Sequence, residues 1–337
     1  MELIRRKAFA RAGLIGNPSD GYGGKTISVI LRNYRAQVTL YEWDHLEIVP
    51  SRNDDSVFRS IHELAQDVKL HGYYGGIRLV KAAIKGFADY CTQRGLSLHE
   101  RNFSIRYETT IPRQVGLAGS SAIVVATLRA LIDFYGVEIP QRILPSLVLS
   151  IEREQLGIPA GLQDRVIQIY EGAVYMDFGN METIDGFSCG RYEPIDPAKL
   201  PPLYVAFSAE YSEPTEVFHN NLRFRFDQGE PAVVDAMKKF AELTDAAKAA
   251  IEKREVSELS RLMNANFDLR RSICQLPKEH IAMVETARKA GVSAKFAGSG
   301  GAIIGVCETG EQFERLQKEM NTIGCICIRP EVEFGAI

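Results

Sequence analysis

Residues 116–122 read Gly-Leu-Ala-Gly-Ser-Ser-Ala and stand between two strongly patterned segments. Before them runs FSIRYETTI, in which Phe103, Ile105 and Tyr107 alternate with polar neighbours as a half-buried strand does. After them runs IVVATLRALIDFY, which predicts a helix over about 120–135. Small residues at a helix start let a phosphate approach closely. There the first-turn N–H groups lack intrahelical partners and the helix dipole favours negative charge. Ser120 or Ser121 can cap the helix, and a hydroxyl can also reach a magnesium ion. A plain capped helix start accounts for the serines but not for the whole small-residue run.

With 337 residues the chain suits two domains sharing a cleft. A net charge of −3 gives no clustered basic excess of the kind a nucleic-acid surface needs. The six cysteines form no C-x-x-C pair and are expected as buried, reduced thiols, with Cys325 and Cys327 on one face of a strand. The histidines form no H-x-x-x-H group, so a protein-ligated zinc site is not expected. No apolar run approaches a membrane span, and the basic segment MELIRRKAFARAG lacks the apolar core of a secretory signal. A cytoplasmic protein is the default expectation.

TISVIL, AQVTLYEW and LEIVP predict three strands between residues 26 and 49. Helices are expected near 57–70 and 77–94, the second with Ile77, Val80, Ile84, Phe87 and Cys91 on one face. More helix is expected over 141–156 and 162–170, then the strand GAVYMDF. The stretch 185–202, rich in Gly, Pro and Asp, reads as a domain junction dividing 1–190 from 200–337. LYVAFS, helices near 231–253, 255–272 and 278–290, and a strand–strand–helix–strand ending (SAKFAG, GAIIGVC, GCICI) make an α+β second domain.

Two further segments carry possible chemistry. Ala297-Gly-Ser-Gly-Gly-Ala302 places three glycines in four residues between short apolar strands, as a glycine-rich turn or as a close backbone approach to a ligand. Arg11, the run Gly16-Asn-Pro-Ser-Asp20 and Gly161-Leu-Gln-Asp164 offer carboxylates and a cation. Either Asp could be a helix cap or a base beside an arginine. GYGGKT (Gly21–Thr26) is a decoy: a P-loop would need glycine at Ser19 and would open a helix, whereas this run leads into TISVIL.

In this order and spacing, ARAGLIGNPSD, PRQVGLAGSSA and KFAGSGGA resemble the three motifs of the GHMP kinases. The second motif is one residue longer than the usual form between its proline and its serines, so it aligns firmly only over Gly119-Ser-Ser-Ala122. Within the superfamily GNPSDGYGGKTIS, HGYYGGIRLV and NFDLRR are similar to plant-type glucuronokinases, which phosphorylate the anomeric hydroxyl of D-glucuronate with ATP. The resemblance implies an N-terminal α+β domain of ribosomal-protein-like topology, a ferredoxin-like C-terminal domain, and ATP with its sugar in the cleft between them.

Carried over position by position, it makes Asp164 the catalytic base. Arg11 becomes its orienting partner and a stabiliser of phosphoryl charge. Gly116, Leu117, Ala118, Gly119, Ser120, Ser121 and Ala122, with Gly298, Ser299, Gly300 and Gly301, become the nucleotide loops. Ser121 and Glu152 are implied as Mg²⁺ ligands, with Glu154 as the alternative to Glu152. Asn17, Ser19 and Asp20 fall where sugar kinases hold substrate hydroxyls, and Tyr73 and Tyr74 where a cleft wall could lie. A uronate needs a cation for its carboxylate, for which Arg113, Arg223 and Arg271 are the candidates. The competing expectations are a kinase for another sugar or a heptose phosphate, a decarboxylase of the diphosphomevalonate type, and a nucleotide-binding relative without catalysis. Oligomeric state is not readable.

Overall fold

The computed structural model describes residues 3–51, 54, 60, 75–208 and 216–334, with residues 216–221 as backbone only. The helix expected near 57–70 and both Tyr73 and Tyr74 lie outside the described residues.

β1 (Leu3–Ile15) and β2 (Lys25–Trp43) pair antiparallel along most of their length. From Ala8 onward β1 is buried throughout, as a strand covered on both faces must be. Its exposed beginning, with Arg5, Arg6 and Lys7, concealed it as a strand in the sequence. The expected strands TISVIL and AQVTLYEW are one strand, β2. The register shifts between Phe9 and Ala10, so Arg32, Asn33 and Tyr34 stand outside the pairing, and this polar interruption mimics a strand break. The chain's C-terminal segment docks there. The Arg32 N–H donates to the Glu331 carbonyl at 3.0 Å, and the Asn33 side chain donates to the Arg329 carbonyl at 3.1 Å.

On its other edge β2 pairs with β4 (Asn102–Thr109) and with β5 (Ala173–Ile184). Parallel β3 (Glu47–Val49) and antiparallel β6 (Phe187–Ile195) complete a six-stranded sheet. β6 lies inside the stretch 185–202 that reads as a domain junction. Its polar residues point outward on an edge strand, so no apolar period shows, and the expected boundary at 190 falls inside it. Over the sheet lie α1 (Gly76–Gln93), α2 (Gly119–Tyr135), α3 (Leu144–Ser150) and α4 (Gln163–Tyr170). Every residue of α2 from Ser121 to Leu128 is buried, so this helix is a core element whose N-terminus alone reaches the site.

The second sheet has the order β10-β7-β9-β8, built from β7 (Leu203–Ser208), β8 (Lys295–Phe296), β9 (Ala302–Val306) and β10 (Cys325–Ile328). Between β7 and β8 come α5 (Glu216–Asp227), α6 (Pro231–Lys253), α7 (Val256–Ile273) and α8 (Lys278–Lys289). α9 (Gly310–Asn321) precedes β10 and opens with a capping box from Thr309. This is a ferredoxin-like strand order with extra helices; α5 had no counterpart in the sequence reading. Cys325 and Cys327 are buried on one face of β10, with Ile326 exposed between them, and all six cysteines are free thiols. α6 is fastened to the first sheet: Thr244 donates to the Lys25 carbonyl at 2.9 Å, and Lys25 pairs with Asp245 at 2.6 Å. Among the described residues, no helix is long and apolar enough to cross a membrane.

Candidate active site

Arg11 enters the site near the middle of β1, and Asp164 in the first turn of α4. The guanidinium takes the carboxylate bidentately, through Nε at 2.6 Å and Nη2 at 2.9 Å. Its remaining nitrogen, Nη1, donates to the Gly116 carbonyl at 2.6 Å and to the Ala297 carbonyl at 3.1 Å. One buried side chain therefore joins the segment holding Asp164 to both glycine loops. Four of its five N–H donors are thereby used on protein acceptors, which makes Arg11 the group that orients Asp164.

The loop before α2 is shaped by backbone that side chains resist. Gly116 has φ 74° and Ala118 φ 60°, both left-handed, so the chain turns sharply and presents the N-terminus of α2. Ala118 is the cap residue and makes no side-chain cap bond; Ser120 and Ser121 stand inside the first turn instead of capping it. The Ser121 hydroxyl donates to Glu152 Oε1 at 2.7 Å, both residues being buried. A π-helical turn, Ile151–Gln155, continues α3 and sends Glu152 inward while Arg153 and Glu154 face solvent. Glu152 rather than Glu154 thus faces the loop. Arg165 pairs with Glu152 Oε2 and lies 3.4 Å from Asp164 Oδ2, tying the two carboxylates together. A buried hydroxyl and a carboxylate oxygen beside a phosphate-type loop fit a magnesium ion that completes its shell with phosphate oxygens and water. Among the described residues no three His, Cys, Asp or Glu side chains form a group that could hold a metal ion.

The third segment packs directly on the second. A methyl group on Gly298 would lie 2.5 Å from the Gly116 carbonyl oxygen and 2.9 Å from Arg11 Nη1. One on Gly300 would meet His280 Nδ1 at 2.4 Å. The close approach read from these glycines is therefore to protein groups, and Gly301 is also buried. Ser299 is the most exposed of the four. Arg270, buried on α7, donates to the Gly298 carbonyl at 2.8 Å and to the Ser299 carbonyl at 3.2 Å.

Asn17 and Ser19 do work other than the hydroxyl binding expected of them. Asn17 is buried and bonds Lys295, whose Nζ reaches Asn17 Oδ1 and the Phe296 carbonyl at 2.6 Å and the Gly13 carbonyl at 2.7 Å. Burial, with the nearby Arg270 and Arg11 charges, drives Lys295 well below the ordinary lysine range. Ser19 is fully buried and donates to the Lys25 carbonyl at 3.1 Å. Asn266 completes the joint, accepting from the Gly16 N–H at 2.6 Å.

Asp20 keeps its place by the site. Its carboxylate lies against Gly161, where a methyl group would come within 2.2 Å of Oδ2. Burial first, and then the Asp164 charge, push its pKa up to about 6, against the pull of Arg11, Arg165 and a backbone N–H from Gln163. Of the arginine candidates, Arg223 donates to the Gly21 carbonyl at 2.6 Å. Arg113 is exposed on the turn before the loop. Arg271 is exposed and paired with Glu285 at 3.0 Å, away from the loops its neighbour Arg270 supports. Arg270, Lys295, Arg165 and Asn266 were missed in the sequence. The period of α7 could have found two of them, since Leu259, Leu262, Met263, Asn266, Phe267 and Arg270 form one buried stripe.

Residues 78–172 match the family model for the GHMP kinases N terminal domain, and residues 247–324 the model for GHMP kinases C terminal. The chain is 43% identical to Glucuronokinase 1 of Arabidopsis thaliana, over 95% of this chain and 90% of that protein. It is 44% identical to Probable glucuronokinase 2 of the same plant, over 96% and 90%. Its fold is that of Lactococcus lactis galactokinase complexed with galactose, at a TM-score of 0.78 and 16% identity over 99% of this chain and 94% of that one. On both domains and nearly its whole length, this chain belongs to the GHMP kinase family.

Proposed function

We propose that this ATP-dependent kinase is a sugar-1-kinase that phosphorylates the anomeric hydroxyl of D-glucuronate, giving D-glucuronate 1-phosphate and ADP. The observation that carries the reading is the Asp164 carboxylate, held by both arms of Arg11 beside the α2 N-terminus, in a chain so similar to two glucuronokinases.

Each residue has a role in that chemistry. Backbone N–H groups at the start of α2, with the loop Gly116–Ala122, receive the phosphate chain. Asp164 accepts the proton of the anomeric hydroxyl as its oxygen attacks phosphorus, and Arg11 fixes the carboxylate in line. Arg165 restrains Asp164 from its other side. Asp20 accepts hydrogen bonds from ring hydroxyls. Ser121 Oγ and Glu152 Oε1 would hold magnesium, which would neutralise charge on the phosphoryl group that ATP supplies. Six free thiols suit a reducing compartment, here the cytoplasm.

The test is ADP release with Mg·ATP across D-glucuronate, galacturonate, galactose, arabinose and a heptose phosphate. Turnover with glucuronate above the others supports the assignment. Turnover with another panel member alone keeps the kinase and removes glucuronate as its substrate.

A further inference from the structure

A uronate differs from its parent sugar by one carboxylate, and that group must find a cation within one sugar's width of Asp164. Two arginines meet the requirement by their anchoring. Arg153, in the π-helical turn, donates through Nε to the Ala160 carbonyl at 3.0 Å. Arg223, on α5, donates through Nη2 to the Gly21 carbonyl at 2.6 Å and lies over the Tyr22 ring at 4.6 Å. Ala160 and Gly21 are the chain neighbours of Gly161 and Asp20, and those two residues touch each other, the Asp20 carboxylate filling the space that a side chain at 161 would take. The two guanidinium groups are therefore both anchored next to the Asp20–Gly161 contact, one from each half of the molecule.

Both arginines are exposed and both keep N–H groups beyond their backbone anchors. Among the described residues Arg153 makes no ion pair, and Arg223 pairs only with Asp227, 3.8 Å away on its own exposed helix face, a weak pairing. Arg11 and Arg165 are, by contrast, consumed by Asp164 and Glu152.

We propose that Arg153 and Arg223 form the subsite for the carboxylate of the sugar, gripping it from two sides while Asp20 holds neighbouring hydroxyls. The proposal rests on the uronate reading of the site and assigns the residues that separate a uronate from its neutral analogues. A planar, many-donor guanidinium on each side suits a carboxylate's two oxygens, and an amide of the same shape loses the charge-assisted part of both contacts.

The experiment compares kcat/KM for glucuronate with that for glucuronamide, in wild type and in Arg153→Gln, Arg223→Gln and Arg271→Gln. The wild type is expected to prefer the acid. Each of the first two variants should lower that preference by roughly 10- to 100-fold, mainly through the KM for glucuronate, while Arg271→Gln keeps it. Arg153→Lys and Arg223→Lys, which keep charge and lose the fork, should fall between, and thermal stabilisation by ADP checks that every variant is folded. A wild type without preference for the acid sinks the uronate reading, and the subsite with it, before any variant is measured. A wild-type preference that survives in both glutamine variants overturns the subsite alone.

Discussion

Arg11 and Asp164, 153 residues apart in the chain, meet through two hydrogen bonds of 2.6 and 2.9 Å, and the guanidinium nitrogen left over holds both glycine loops. The proposed catalytic carboxylate and both glycine loops are thus positioned by one side chain. Lysine cannot reproduce the fork. Arg11→Lys should cost about 2 kcal/mol of stability, less than a fully buried pair would, because Asp164 stays partly exposed and keeps Arg165 nearby. It should also lower kcat by about 10²-fold through misplacement of Asp164. Chemical unfolding and steady-state kinetics check both; an unchanged kcat would deny Arg11 its orienting role.

Asp164→Asn keeps shape and much of the hydrogen bonding but cannot take a proton. A fall in kcat of about 10²–10⁴-fold is expected, with ADP affinity retained. A variant that keeps most of its turnover would make positioning, not proton transfer, the function of this residue.

Gly298→Ala should fail by collision. Its methyl group meets a backbone carbonyl and an arginine fixed by four hydrogen bonds, neither of which can yield cheaply. A loss of about 2 kcal/mol is expected, together with lower kcat as Arg11 shifts. Gly157→Ala is the control. Gly157 has φ 67° with no atom within 4 Å of the added methyl, so only the backbone cost of about 1 kcal/mol applies, with kcat held. Thermal midpoints and turnover of the two variants distinguish collision from a generic glycine effect.

Asp20 binds its proton more tightly in the fold than in the unfolded chain, with a pKa near 6 instead of 3.8, chiefly through burial and then through Asp164. Its contribution to stability is therefore full below pH 3.8 and is lost as pH rises through about 6. Asp20→Asn should be more stable than wild type by about 1–3 kcal/mol at pH 8, with the gain vanishing by pH 4. Urea unfolding at the two pH values measures it; an equal difference at both would contradict the burial argument.

Ser121→Ala leaves Glu152 paired with Arg165 but removes the hydroxyl from the proposed cation site. The magnesium concentration needed for half-maximal thermal stabilisation by ADP should rise about tenfold, a readout independent of turnover. An unchanged magnesium dependence would place the ion elsewhere.

The sequence made α2 and its loop legible because apolar pattern and small-residue run change at the same point, Gly119. The second sheet was legible too, its short apolar strands being buried. β1 was not, since its charged start faces solvent, and β6 was not, since an edge strand carries little apolar period. In the site, Asp164 and Arg11 could be named only through resemblance; no local pattern links residues so far apart. The roles of Asn17 and Ser19 were misjudged because burial was invisible: both face the protein interior, bonded to Lys295 and to the Lys25 carbonyl. Arg271 was chosen over Arg270 although the helix period turns the latter inward.

The most direct test of the central claim is the identity of the product. Incubated with Mg·ATP and D-glucuronate, the enzyme should yield a sugar whose anomeric proton is split by phosphorus in the NMR spectrum, in step with ADP formation. Phosphate on any other oxygen, or ADP formed with the sugar unchanged, would contradict a sugar-1-kinase built on Asp164 and Arg11.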